Sequence, residues 1–212
     1  MDNDSFHQEM MAHVPLFLHP NPSQVLIIGG GNGGSTREIL RHTTVQKCVL
    51  IDHDESVTTS CKGQSPRLKT VTMDAHEWIK DSTEKFEVIC INASLGNEIY
   101  SSLKKNLATG GILISKAGSP IFSENEQLQL ASSIKQQFRR VHFYNYTHPS
   151  ALGGLTSLAY ATDSIHPMDD FSRSKVLSSG LEFSYYNLGI HEGSFLIPEF
   201  QKKNLVEFLN PL

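Results

Sequence analysis

Residues 25–34 read Val25-Leu26-Ile27-Ile28-Gly29-Gly30-Gly31-Asn32-Gly33-Gly34, and no other stretch narrows the fold so far. Four apolar residues in a row predict a strand buried on both faces. The glycines behind them predict a tight turn into a helix over 35–42. Gly29, Gly31 and Gly34 keep the G-x-G-x-x-G spacing, in which missing side chains let the backbone approach a ligand. Amides in the first turn of the following helix would face that ligand, with the positive end of the helix dipole behind them. Asp52 follows about 20 residues on, where nucleoside-binding folds set a carboxylate against ribose hydroxyls.

From there strands and helices alternate. Strands are expected over 48–52, 68–73, 86–92, 112–115, 141–146 and 155–161. Helices are expected over 55–62, 75–80 and 98–107, and from a Ser123/Glu126 capping box to about 138, with a turn at Gly110-Gly111. Upstream, 4–18 reads as an amphipathic helix with Phe6, Met10, Met11 and Val14 on one side, ending near Pro15. Downstream come a helix ending at Gly180 and a terminal segment after Pro198. The alternation predicts an α/β fold, a doubly wound sheet of about seven strands. It should be mostly parallel, with 141–146 and 155–161 as an antiparallel edge pair. Ligands of such sheets lie beyond the carboxyl ends of the strands. Asp52 and Asp74 each end a strand there. Two such acids, one for ribose and one for an adenine amino group, favour an S-adenosyl-type nucleoside over a dinucleotide. Asp74 equally fits a plain helix cap.

Composition narrows the partners. At 212 residues the chain holds one good core, and a single domain over 1–212 is expected. Eighteen basic against 22 acidic side chains give −4, which argues against nucleic acid. Arg139-Arg140 and Lys202-Lys203 are too short for a phosphate track. The apolar runs are strand-sized, so no membrane span is expected, and Met1-Asp2-Asn3-Asp4 lacks the basic start of a signal peptide. Cys48, Cys61 and Cys90 are odd in number and never in C-x-x-C spacing. They read as buried thiols of a cytoplasmic protein, not as disulfides or zinc ligands. Of ten histidines, His7, His13 and His19 recur every six residues, which keeps no single helical face, so no metal is expected.

Longer motifs carry a resemblance. His7-Gln8-Glu9-Met10-Met11-Ala12-His13-Val14-Pro15, His19-Pro20-Asn21-Pro22 and the glycine stretch resemble the spermidine synthase family of polyamine aminopropyltransferases. So do Gly153-Gly154, Ala159-Tyr160-Ala161-Thr162-Asp163, Tyr185-Tyr186-Asn187 and Leu196-Ile197-Pro198. The resemblance implies a Rossmann-like fold of the class I methyltransferase type. It implies aminopropyl transfer from decarboxylated S-adenosylmethionine to putrescine, releasing methylthioadenosine. It further implies a preceding β-stranded domain that supplies a cofactor-contacting glutamine and much of the oligomer interface; this sequence begins where that domain would end. Its nucleoside residues map onto Gly29, Gly31, Asn32, Gly33, Asp52, Asp74 and Ala75.

The amine end departs from the family pattern. Where the family has a base Asp after the fourth strand this chain has Asn92, and Leu95 replaces the Asp that helps hold the diamine. The turn Asp is Asn32, the first-helix histidine is Gln8, the glutamine after strand five is Lys116, and a diamine-channel tyrosine is Ala151. An alkylamine with a pKa of about 10 must shed a proton before it attacks, and an amide cannot take it. Loss of a positioned base costs roughly 10²- to 10⁴-fold in rate. Putrescine transfer should therefore be weak. Asn32 and Lys116 should instead tolerate the carboxylate of ordinary S-adenosylmethionine. The alternatives are a non-catalytic nucleoside-binding homologue acting as a regulatory or partner subunit, and an S-adenosylmethionine-binding transferase with another acceptor; a homodimer or pairing with an active homologue is expected.

Overall fold

The computed structural model describes residues 4–212; the signal-peptide reading of Met1–Asn3 lies outside them. The first half of the chain runs α1 (Ser5–Leu18), β1 (Gln24–Ile28), α2 (Gly34–Arg41), β2 (Lys47–Asp52), α3 (Glu55–Cys61), β3 (Leu68–Thr72), α4 (Ala75–Asp81) and β4 (Phe86–Ile91). It continues with α5 (Ile99–Lys104), β5 (Leu107–Gly118), α6 (Glu124–Lys135), β6 (Arg140–Thr147) and β7 (Leu155–Thr162). Three short helices close it: α7 (Arg173–Ser178), α8 (Leu188–Ser194) and α9 (Glu199–Leu205).

Seven strands form one sheet in the order β3-β2-β1-β4-β5-β7-β6. All pairings from β3 through β5 are parallel, and β7 runs antiparallel to both β5 and β6. The expected sheet and its antiparallel edge pair are both present. Alternate residues divide between two cores. Val25, Ile27, Cys90 and Ile114 face α1, whereas Leu26, Ile28, Ile91 and Leu113 pack in a second core on the opposite face. The chain leaves β1 toward β2 and β3, then returns to β4 on the other side of β1. That reversal is the switch point at which such sheets open a crevice.

Several elements differ from the sequence expectation. The first helix is not amphipathic: every residue from Gln8 to Leu18 is buried, because the helix lies between the sheet and the C-terminal segment. Nor does it end at Pro15. A proline there removes the donor that would serve the Met11 carbonyl, and the Cys90 thiol approaches that carbonyl at 3.6 Å. Ser123 opens α6 without a side-chain cap; its amide donates to the Ser119 carbonyl instead. Gly110 and Gly111 lie within β5, where β4 advances from Phe86 to Val88 while β5 advances from Leu107 to Ile112. The excess is absorbed as a bulge, with Gly110 at φ 74°. This early start of β5 shortens the preceding helix. α6 stops at Lys135 rather than near 138, and the stretch after Gly180 holds two helices, α8 and α9, that the sequence reading lacks.

The C-terminal segment is strapped to α1. The Glu9 carboxylate, buried in α1, accepts the amides of Ser184, Tyr185 and Tyr186 at 2.7, 2.9 and 2.7 Å. Three convergent donors satisfy a charge that burial would otherwise penalise. The strap fixes the helix that carries His7 and Gln8.

Candidate functional site

The glycine turn is held by residues far from it in sequence. Gly29, Gly31 and Gly33 have φ of 85°, 54° and 76°, a region that favours glycine. At Gly29 a Cβ would stand 2.8 Å from Ala93, so the glycine lets the ends of β1 and β4 meet. Gly34 opens α2 against Gln8, whose amide carbon would be 2.0 Å from a Cβ there. Gln8 Nε2 donates to Asn32 Oδ1 at 3.1 Å, and the same oxygen accepts the Gly34 amide at 3.0 Å. Gln8, expected at the amine end, is thus engaged with the turn.

Asp52 ends β2, only 9 % exposed, and latches the turn. Its Oδ2 accepts the Gly30 amide at 2.7 Å and its Oδ1 the Asp54 amide at 2.9 Å. Each oxygen keeps a lone pair for a ligand hydroxyl. Asp74 stands one strand over, with its side chain 56 % exposed. Its Oδ1 accepts the His76 and Glu77 amides at 2.8 and 3.3 Å, and these bonds hold its carboxyl below the usual range. It caps α4, and the cap itself aims the carboxylate outward. Ala75 buries its methyl in the second core, which leaves only its backbone to face a ligand. At Gly31 a Cβ would meet only Asn92 Nδ2, at 3.8 Å, so the backbone is open to a ligand on that side. These residues fit a nucleoside.

The expected amine end contains a group the sequence reading missed. Asn92 follows β4, and its Oδ1 lies 2.7 Å from His7 Nε2. The other ring nitrogen, Nδ1, lies 2.5 Å from the Tyr146 hydroxyl at the end of β6. Desolvation pushes the His7 pKa down to about 4, with Lys116 and His148 acting in the same sense, and burial pushes the Tyr146 phenol well up. Both groups are therefore neutral at pH 7. His7 has neither nitrogen free, so it clamps Asn92 and is no substitute base. His148 Nε2 lies 3.8 Å from Asp4, and its Nδ1 has no hydrogen-bond partner among the described residues. Leu95 packs toward the second core and lines a cavity of about 430 Å³ with Lys116, Tyr100, Ser123 and Glu126. Ala151 lies in the β6–β7 turn, where its amide donates to the His148 carbonyl. His7 could have been found only by knowing that α1 crosses the ends of both β4 and β6.

A doubly wound sheet with a glycine turn at its switch point and acids ending adjacent strands is a Rossmann-like fold of the methyltransferase type. The spermine/spermidine synthase domain model matches residues 4–171. A polyamine aminopropyltransferase of Thermotoga petrophila is 34% identical over 96% of this chain and 76% of its own length. That of Alkaliphilus metalliredigens is 29% identical over 96% and 79%. Spermidine synthase from Thermotoga maritima superposes with a TM-score of 0.90 at 33% identity, covering 96% of this chain and 74% of that one. A spermidine synthase in complex with the transition-state analogue AdoDATO also gives 0.90, at 31% identity, over 96% and 76%. The chain belongs to the spermine/spermidine synthase family.

Proposed function

We propose that this protein is a polyamine aminopropyltransferase homologue that binds an S-adenosyl nucleoside and transfers its aminopropyl group poorly to putrescine. One observation carries the reading: Asp52 latches the glycine turn through Gly30, with Asp74 presented from the next strand. Asp52 would take the ribose hydroxyls, Asp74 an adenine amino group, and the Gly29–Gly33 backbone the sulfur side of the nucleoside. Methylthioadenosine contains all of those groups, and decarboxylated S-adenosylmethionine adds the aminopropyl arm. In the transfer, an amine nitrogen bonds to the propyl carbon, the carbon–sulfur bond breaks, methylthioadenosine leaves and the amine loses a proton. Asn92, clamped by a neutral His7, cannot accept that proton. None of Asn92, Leu95, Lys116 and Ala151, the positions expected to hold the diamine, is a carboxylate.

The same residues favour a second reading, a non-catalytic nucleoside-binding subunit that dimerises or pairs with an active homologue. Buried free thiols at Cys48, Cys61 and Cys90 support a reducing, cytoplasmic setting for either. Among the described residues no helix is long and apolar enough to cross a membrane.

A thermal melt with methylthioadenosine at about 100-fold excess over its Kd tests binding, since occupancy there adds about 2.7 kcal/mol. An unshifted melt overturns the nucleoside reading. Asn92→Asp, alone and with Lys116→Gln, then separates the two functions. On the first reading putrescine transfer rises on the order of 10²-fold; no rise selects the non-catalytic subunit.

A further inference from the structure

Asn92 presents hydrogen-bond donors where a proton acceptor would be needed. With its Oδ1 accepting from His7 Nε2–H, the His7 Nδ1 lone pair takes the Tyr146 hydroxyl hydrogen. The amide group is thereby oriented, and Nδ2 faces the turn, 3.8 Å from where a Gly31 Cβ would stand.

Lys116 stands beside it. Ile91 pairs with Ser115, so Asn92 and Lys116 are the next residues on adjacent strands, on the face shared by Cys90 and Ile114. Neighbouring strands are about 4.8 Å apart. The Lys116 ammonium has no ion-pair partner among the described residues, and its charge is felt at the His7 ring. Asp4 acts on the same ring with the opposite sign. It lies 3.4 Å from Asn32 Nδ2 and 3.8 Å from His148 Nε2. The surroundings of His7 therefore include a cation wall, Lys116 beside the Asn92 amide, and a carboxylate wall, Asp4 beside Asn32 and His148.

We propose that this end of the cleft binds the amino-acid head of S-adenosylmethionine, carboxylate toward Asn92 Nδ2 and Lys116 Nζ and ammonium toward Asp4, in preference to the decarboxylated nucleoside. The proposal rests on the nucleoside reading above. A zwitterion uses both walls, whereas the decarboxylated arm offers only an ammonium and leaves Lys116 unanswered. An aspartate at position 92 or 32 would repel the carboxylate. Charge-assisted hydrogen bonds of this kind correspond to roughly ten- to a hundredfold in affinity.

Calorimetry with methylthioadenosine, S-adenosylmethionine and decarboxylated S-adenosylmethionine tests it on the intact chain, on Asn92→Asp and on Lys116→Gln. S-adenosylmethionine should bind roughly tenfold or more tightly than the decarboxylated form. Each substitution should cut that ratio by about tenfold while methylthioadenosine, which lacks the head, binds unchanged and reports an intact fold. Equal or tighter binding of the decarboxylated form, or a ratio indifferent to both substitutions, overturns the proposal while methylthioadenosine binding leaves the nucleoside reading standing. If methylthioadenosine also fails to bind, both fall.

Discussion

At Asp52 two backbone amides share one carboxylate, Gly30 on Oδ2 and Asp54 on Oδ1. The residue is therefore structural before any ligand arrives, since it holds the turn in the conformation a nucleoside would need. Replacing it with asparagine turns one acceptor into a donor that faces a backbone N–H. A buried hydrogen bond to a charged group is lost and a donor left unsatisfied, at a cost of about 2 kcal/mol. Urea unfolding of Asp52→Asn should show that loss as a lower midpoint at unchanged slope. A variant as stable as the parent would mean the latch carries no energy. Asn92 is the converse case. Its clamp by His7 is well made, yet it holds a group with no proton-accepting capacity, so good geometry there supplies no base chemistry.

Among elements, α1 decides whether the site exists, although it contributes no strand to the sheet. Glu9 ties it to residues 184–186, Gln8 ties it to the glycine turn, and His7 ties it to Asn92 and Tyr146. Three consecutive side chains of one helix thus reach four separate parts of the chain. Gly34 and Gln8 should be coupled accordingly. In Gly34→Ala the new methyl meets the Gln8 amide, whose carbon lies 2.0 Å from the Cβ position, and overpacking of that kind costs about 1–3 kcal/mol. Gln8→Ala removes the obstacle together with the bond to Asn32. In a double-mutant cycle the pair should lose at least about 0.5 kcal/mol less than the sum of the single losses. Additive losses would show that the Gln8 side chain is not what excludes a methyl at this position.

For the molecule as a whole, the sheet was legible because each buried strand is an apolar run bounded by turn residues. The mostly parallel topology followed from their spacing. Asp52 was legible because it ends such a run. The Asn92 cluster was not, because His7 and Tyr146 lie 139 residues apart and meet only once α1 is laid across the strand ends. Nor was the burial of α1, which reads as an amphipathic helix until the partners of Gln8 and Glu9 in the turn and the C-terminal segment are known. Burying so many polar groups has a consequence for acid stability. Desolvation lowers His7 and His142 to about 4, and His42 and His191 to about 3. Unfolded, each returns to its ordinary pKa of about 6.5. As pH falls through about 6.5 the unfolded chain therefore takes up protons that the native one refuses, and the native state loses stability. Each histidine contributes a slope approaching 1.4 kcal/mol per pH unit until its folded pKa is reached. Above about pH 7 both states are neutral at these positions and the dependence from them vanishes. The midpoint of thermal unfolding should accordingly be flat between about pH 7 and 8 and drop steeply between about 6 and 5. Were it unchanged down to pH 5, these rings would have to be hydrated in the native state, and the clamp on Asn92 would lose its neutral histidine.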